Sequence, residues 1–151
     1  IVRTVTVKTP PARAFELFTA QIGRWWPAGK TVGKTHAAIV IEPRNGGRWY
    51  ERDAEDVEIQ WGRVIEWAPP SRLLLAWQLD SAWTYDPDFV TEVELSFAPA
   101  TGGGTLITLE HRNLERFGDA AEKIAGQLGG GWPSRMADFA DFANADATTK
   151  V

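Results

Sequence analysis

The spacing of hydrophobic and polar positions changes several times along the chain, and each change predicts an element. In IVRTVTV, residues 1–7, Val2, Val5 and Val7 alternate imperfectly with polar residues, which reads as an opening strand. The spacing then lengthens in TPPARAFELFTAQIGRWW, where Phe15, Phe18, Ile22 and Trp25 recur at helical intervals. Thr9 is the expected N-cap of this helix, Pro10 and Pro11 suit its first turn, and Gly23 and Pro27 bracket its end. Five strand candidates follow (HAAIVIE, GGRWYER, VEIQWGRVIEW, RLLLAWQL and VTEVELSFA), and GTLITLEH closes the series. The connectors PRNGG, APPSR and PATGGG are short and rich in turn residues, so the strands should run antiparallel in sequence. The last third returns to helical spacing, with one stripe of Phe117, Ala121, Ile124 and Leu128 and a second of Trp132, Met136, Phe139 and Ala143. Arg135, Asp138 and Asp141 fall on the opposing side. Between the stripes GGGWP is expected to kink or break the helix, because Pro133 lacks a donor.

Together these elements predict an α+β fold in which a curved antiparallel sheet of about seven strands grips a long C-terminal helix, with a small helical segment after the first strand. Strand parity gives the sheet one apolar face. Val93, Leu95 and Phe97 oppose Glu92, Glu94 and Ser96, while Leu73, Leu75, Trp77 and Leu79 share a face. On GTLITLEH the same rule turns Thr105, Ile107, Leu109 and His111 inward, placing a histidine among apolar side chains. No internal repeat or linker divides the chain. Residues 1–144 read as a single domain, and the small polar residues 145–151 as a tail expected to fray.

Composition narrows the function. A net charge of −4 with scattered acidic groups does not suit nucleic acid, which calls for clustered cations. The absence of cysteine excludes disulfides, thiol nucleophiles and Cys-ligated metals from these residues, and accords with a cytoplasmic setting. The longest apolar runs, AAIVI and LLLAW, fall far short of the roughly 20 residues of a membrane helix.

The most unusual count is tryptophan, eight in 151 residues. An indole is hard to place in a core unless its N–H finds a partner, so eight suggest either a broad aromatic lining or an aromatic-rich core. Reactive groups are few. The histidines are His36 and His111, and no G-x-S-x-G or H-E-x-x-H arrangement is present. The glycines at 102–104 lead into a strand and read as a hairpin turn rather than a phosphate loop. His111, near Glu51, is the best polar constellation for orienting a ligand or moving a proton, set against the reading of a structural histidine bonded to backbone. A metal would require His36, His111 and a carboxylate to converge without any spacing signature, so neither metal nor cofactor is expected.

The ordered set PARAFELFT, PRNGGRWYE, WGRVIEWAPPSRLLLAW, TEVELSF, GGGTLITLEHRNL and GGGWPSRMADF, with a tryptophan near the end of the first helix, resembles the SRPBCC or START-like superfamily. More narrowly it resembles the heat-shock protein 90 ATPase activator homologue (AHSA-like) branch, from the first strand to about Ala143. The resemblance implies the helix-grip fold, an apolar cavity between sheet and helix, and, for the superfamily, lipid, steroid or polyketide-like ligands, with cyclases among its enzymes. Under that fold Trp25 would continue the helical stripe into the core, while Trp26 would face the cavity mouth or the C-terminal helix. The alternative packs both against Trp132 and Phe139 with no opening. Trp49, Trp77, Trp83, Tyr85, Phe89, Trp132, Met136 and Phe139 complete the expected lining, with His111, Tyr85 or Glu51 fixing ligand orientation. Trp61 and Trp67 are left out because a bulge at Gly62 could reverse their direction. The leading expectation is a binding module for a small apolar or aromatic ligand. A chaperone-associated interaction domain and a cyclase or hydrolase using the same cavity are the alternatives, and the chain could act as a monomer or a dimer.

Overall fold

The computed structural model describes residues 1–27, 29–33 and 38–149. Its seven strands are β1 (Val2–Val7), β2 (Ala38–Ile41), β3 (Arg48–Arg52), β4 (Glu58–Ala68), β5 (Arg72–Trp77), β6 (Thr91–Pro99) and β7 (Thr105–Arg112). They form one antiparallel sheet in the order β1-β7-β6-β5-β4-β3-β2. From β2 to β7 each strand pairs with its sequence neighbour, as the short connectors require, and β1 closes onto β7. Two short helices, α1 (Pro11–Thr19) and α2 (Ile22–Trp25), cover one end, and the long helix α3 (Ala121–Thr149) crosses the concave face. This is the α+β helix-grip arrangement that the pattern predicts.

Inward parity holds across the centre of the sheet. Leu73, Leu75, Val93, Leu95, Ile107, Leu109 and His111 are all buried, and they meet Ile124, Leu128, Trp132, Met136, Phe139 and Ala143 of α3. The outer face of the same strands is polar. Arg112 bonds Glu92 and Glu94, and Arg72 bonds Glu94 and Glu66, so Glu94 is held below the usual carboxylate range first by Arg112 and then by Arg72. The hairpin between β6 and β7 turns at Gly102 and Gly103, where φ is +83° and +86°.

Four local expectations are corrected. Pro10, not Thr9, occupies the N-cap position of α1. Thr9 is instead buried, and its carbonyl accepts the Thr105 hydroxyl at 2.7 Å. The first helix is not continuous, because residues 20 and 21 divide α1 from α2. Helix α3 runs unbroken through Pro133. The proline leaves the Gly129 carbonyl without its helical donor, and the Arg3 guanidinium of β1 supplies a replacement at 3.2 Å. Nor does the helix end at residue 144. It continues to Thr149, where fraying was expected, and Asp146 is clamped by both Nε and Nη2 of Arg13 at 3.0 and 2.7 Å.

Candidate functional site

At the end of the sheet beside α2, the concave face opens into two adjoining cavities. The first, about 390 Å³, lies among Trp26, Thr31, Val32, Trp61, Trp77, Leu79, Ala82, Trp83 and Thr84. The second, about 250 Å³, lies between Trp26, Lys30, Trp77, Trp83 and the Gln127–Arg135 stretch of α3, including Leu128, Gly131 and Trp132. Trp26, Trp77 and Trp83 belong to both, so the two are lobes of one cleft.

Four of the five cleft indoles are tied down by their N–H. Trp26 donates to the Lys30 carbonyl at 2.8 Å, Trp77 to the Leu79 carbonyl at 3.1 Å, Trp61 to Glu51 at 2.7 Å and Trp132 to His111 Nδ1 at 3.1 Å. With the polar edges occupied by protein, what these rings offer a ligand is their π faces. Trp83 completes the set from the loop before β6. It sits at φ +59°, is 39% exposed, and stands edge-on to Trp77 with centroids 6.0 Å apart.

The pair at 25 and 26 divides cleanly between core and cleft. Trp25 donates to the Leu17 carbonyl at 3.2 Å and packs on Phe18 and Phe139. Trp26 turns toward Trp61 and Trp132 and lines both lobes. The backbone explains the split, since α2 ends at Trp25 and Trp26 is already extended, with ψ 123°.

Glu51 lies behind the cleft wall. Only 1% exposed, it accepts the backbone N–H groups of Val32 and Gly33 at 2.6 and 2.9 Å as well as the Trp61 indole. One carboxylate therefore fixes both a wall indole and the loop carrying Thr31 and Val32. His111 lies elsewhere. Because Trp132 can only donate, His111 Nδ1 must accept, leaving the proton on Nε2 to be donated to Thr91 Oγ1 at 2.8 Å. Burial pushes the His111 pKa down to about 3. At neutral pH this imidazole is uncharged with both nitrogens engaged, so it positions Trp132 rather than moving protons. The expected pairing of Glu51 with His111 is not formed, since each is held by its own partners.

Of the residues expected to line the cavity, Trp26, Trp77, Trp83 and Trp132 meet at the cleft. Trp49, Glu51 and His111 support its wall from behind, Trp49 through edge contacts with Trp61 and Trp77. Trp25, Met136 and Phe139 are closed into the core. Tyr85 bridges to Leu79 and Phe89 packs at a tilt against Phe117, both outside the two lobes. His36 lies outside the described residues. Trp61 was missed from the sequence. The bulge expected near Gly62 does occur, because Trp49 pairs with Gly62 and Tyr50 with Gln60, skipping Trp61, but it leaves the Trp61 indole facing the cavity. Gly62 cannot carry a side chain here, since a Cβ would fall 1.7 Å from the Ala76 carbonyl oxygen. Trp67 faces a separate apolar cavity of about 320 Å³ beside α1, with Phe15, Ile41 and Pro69.

Residues 8–143 match the family described as Activator of Hsp90 ATPase homolog 1-like protein. The chain belongs to this family. Several solved structures share its architecture. An anthrahydroquino-γ-pyrone synthase, Txn09, solved in complex with SUM, is 39% identical over 93% of this chain and 94% of its own, with a TM-score of 0.68. CalC, a self-sacrificing resistance protein from Micromonospora echinospora, is 26% identical over 97% and 94%, with a TM-score of 0.71. An Aha1 dimer from Colwellia psychrerythraea, 13% identical over 95% of each chain with a TM-score of 0.64, shares the fold. No protein of curated function matches the chain. Among the described residues, no helix is long and apolar enough to cross a membrane.

Proposed function

We propose that this member of the Activator of Hsp90 ATPase homolog 1-like family binds a flat, polycyclic aromatic molecule of polyketide type between the indoles of its cleft. The observation carrying this reading is the convergence of Trp26, Trp61, Trp77, Trp83 and Trp132, four of them with the N–H already bonded to protein. Such walls match fused rings better than a flexible acyl chain, because stacking rewards a rigid planar face at little entropic cost. The larger lobe, at about 390 Å³, is within the range of roughly 300–1,000 Å³ typical of ligand pockets. The 39% identity to a synthase of an anthrahydroquino-γ-pyrone supports the same ligand class.

That relative also favours a second reading, ring closure of a polyketide-like substrate in the same cleft. With His111 neutral and enclosed, catalysis there would depend on holding the substrate in its reactive shape, aided by the hydroxyls of Thr31 and Thr84.

The test is a ¹⁵N–¹H spectrum of the indole groups, titrated with hydroxyanthraquinones, steroids and fatty acids. Saturable shifts at Trp26, Trp61, Trp77 and Trp132 with the planar aromatics, leaving Trp25 unmoved, are expected. If fatty acids shift the same signals at lower concentration, or no compound shifts them, the proposal fails. Chromatography and NMR of the recovered compound separate the readings, since ring closure gives a new product, of equal mass where it is an addition and lighter by water where it is a condensation, whereas simple binding returns the compound unaltered.

A further inference from the structure

The second lobe differs from the first in its charge. Lys30 and Arg135 are the ionisable side chains among the described residues lining the cleft, both are cationic, and no carboxylate joins them. This is unexpected in a chain of net charge −4. Behind the wall, the Glu51 carboxylate is occupied by three N–H groups.

From this we infer that the second lobe selects aromatic ligands bearing an anionic oxygen, a carboxylate or an ionised phenol, which it sets against the Arg135 guanidinium. The inference rests on the reading of the cleft as an aromatic site and adds the charge of the ligand. Arg135 follows Trp132 by three residues on α3, so the two share a helix face and a bound ring on the indole would carry its substituent toward the guanidinium. The Arg135 side chain is only 12% exposed, which strengthens its attraction for an anion relative to a cation in open water. Its Nε is bonded to Asp138 Oδ2 at 3.0 Å, using one of the fork's five donors. Asp138 is 36% exposed and outside the lobe, so it orients the guanidinium and cancels part of its charge. Lys30 closes the opposite side from the residue whose carbonyl anchors Trp26, and being exposed it contributes less.

The test is a calorimetric titration of the whole chain with two probes of nearly equal shape, anthraquinone-2-carboxylate and neutral 2-(hydroxymethyl)anthraquinone. The carboxylate is expected to bind about tenfold more tightly at low salt, and the gap to narrow as salt is raised. Arg135→Gln should abolish the preference, weakening the carboxylate probe far more than the neutral one, Lys30→Gln should reduce it less, and Asp138→Asn should widen it. Equal affinities in the unmodified chain, or an unchanged ratio in Arg135→Gln, overturn the inference. So does an equal loss for both probes in that variant, which would make Arg135 purely structural. If neither probe binds, the aromatic reading falls and this one with it. If only the neutral probe binds, the aromatic reading stands and this one alone falls.

Discussion

Two aromatic clusters share one core and reach different ends. Around Phe18, the rings of Trp25, Phe97 and Phe139 lie with centroids 5.0, 6.0 and 5.1 Å away, all four residues are buried, and none lines the cleft. Around Trp77, the rings of Trp83 and Trp132 lie at comparable distances of 6.0 and 5.9 Å, yet both lobes open among them. Ring spacing does not distinguish the two. What differs is the means of orientation. In the closed cluster three of the four rings have no polar edge, so they rotate until they interlock edge to face. In the open cluster each tied indole is pinned at its N–H by a carbonyl, a carboxylate or an imidazole, and cannot turn to fill the space before it. Polar tethers behind the wall hold these indoles in place around the cleft.

The comparison can be broken at its closed side first. Phe139→Ala removes a fully buried ring and should cost about 3–5 kcal/mol in urea unfolding while leaving the relative affinities for different aromatic ligands unchanged. Shifted selectivity would mean that the clusters are coupled. Glu51→Gln, on the open side, should cost about 2 kcal/mol by weakening three charge-assisted bonds. It should also raise amide exchange at Val32 and Gly33, and unchanged exchange there would show that the carboxylate is not the tether. His111 supplies a pH-dependent term. Its folded pKa of about 3 lies below the ordinary 6.5, so the unfolded chain binds the extra proton first as pH falls. Its contribution is complete above about pH 6.5 and declines below it by up to about 1.4 kcal/mol per pH unit, continuing toward pH 3. Between pH 6.5 and 5, above the range where Glu94 titrates, the urea midpoint should fall in the unmodified chain and flatten in His111→Asn. Trp83→Ala should have the smallest effect on stability, under about 1 kcal/mol given its exposure, yet weaken aromatic binding about tenfold. An unchanged affinity would remove Trp83 from the site.

How much of this was legible follows from where side-chain direction is set. Along β5, β6 and β7 alternation alone placed Leu73, Val93, Leu109 and even His111 on the inner face, because regular pleating carries parity from residue to residue. On β4 the pairing slips twice, beside Trp61 against β3 and between Val64 and Glu66 against β5, so parity could not assign Trp61. Trp83 was an expected lining residue, but the positive φ that presents it is a property of its loop, with no glycine or asparagine at that position to signal it. Glu51 was identified as important and given the wrong partner, since the backbone N–H groups of Val32 and Gly33 leave no trace in side-chain chemistry. Arg135 was assigned to the polar side of α3, because helical spacing does not reveal that the cleft reaches far enough around the helix to include it.

Where α3 passes the cleft, it carries Gly129, Gly130 and Gly131 in succession. A methyl group on Gly130 or Gly131 would touch nothing within 4 Å, and one on Gly129 would make only ordinary contact with Arg3 at 3.6 Å. Packing therefore does not demand these glycines, yet each weakens the helix by about 1 kcal/mol relative to alanine. About a third of the way along its length, then, α3 is held helical by its seat on the sheet more than by its own composition, and Gly131 within that stretch lines the second lobe.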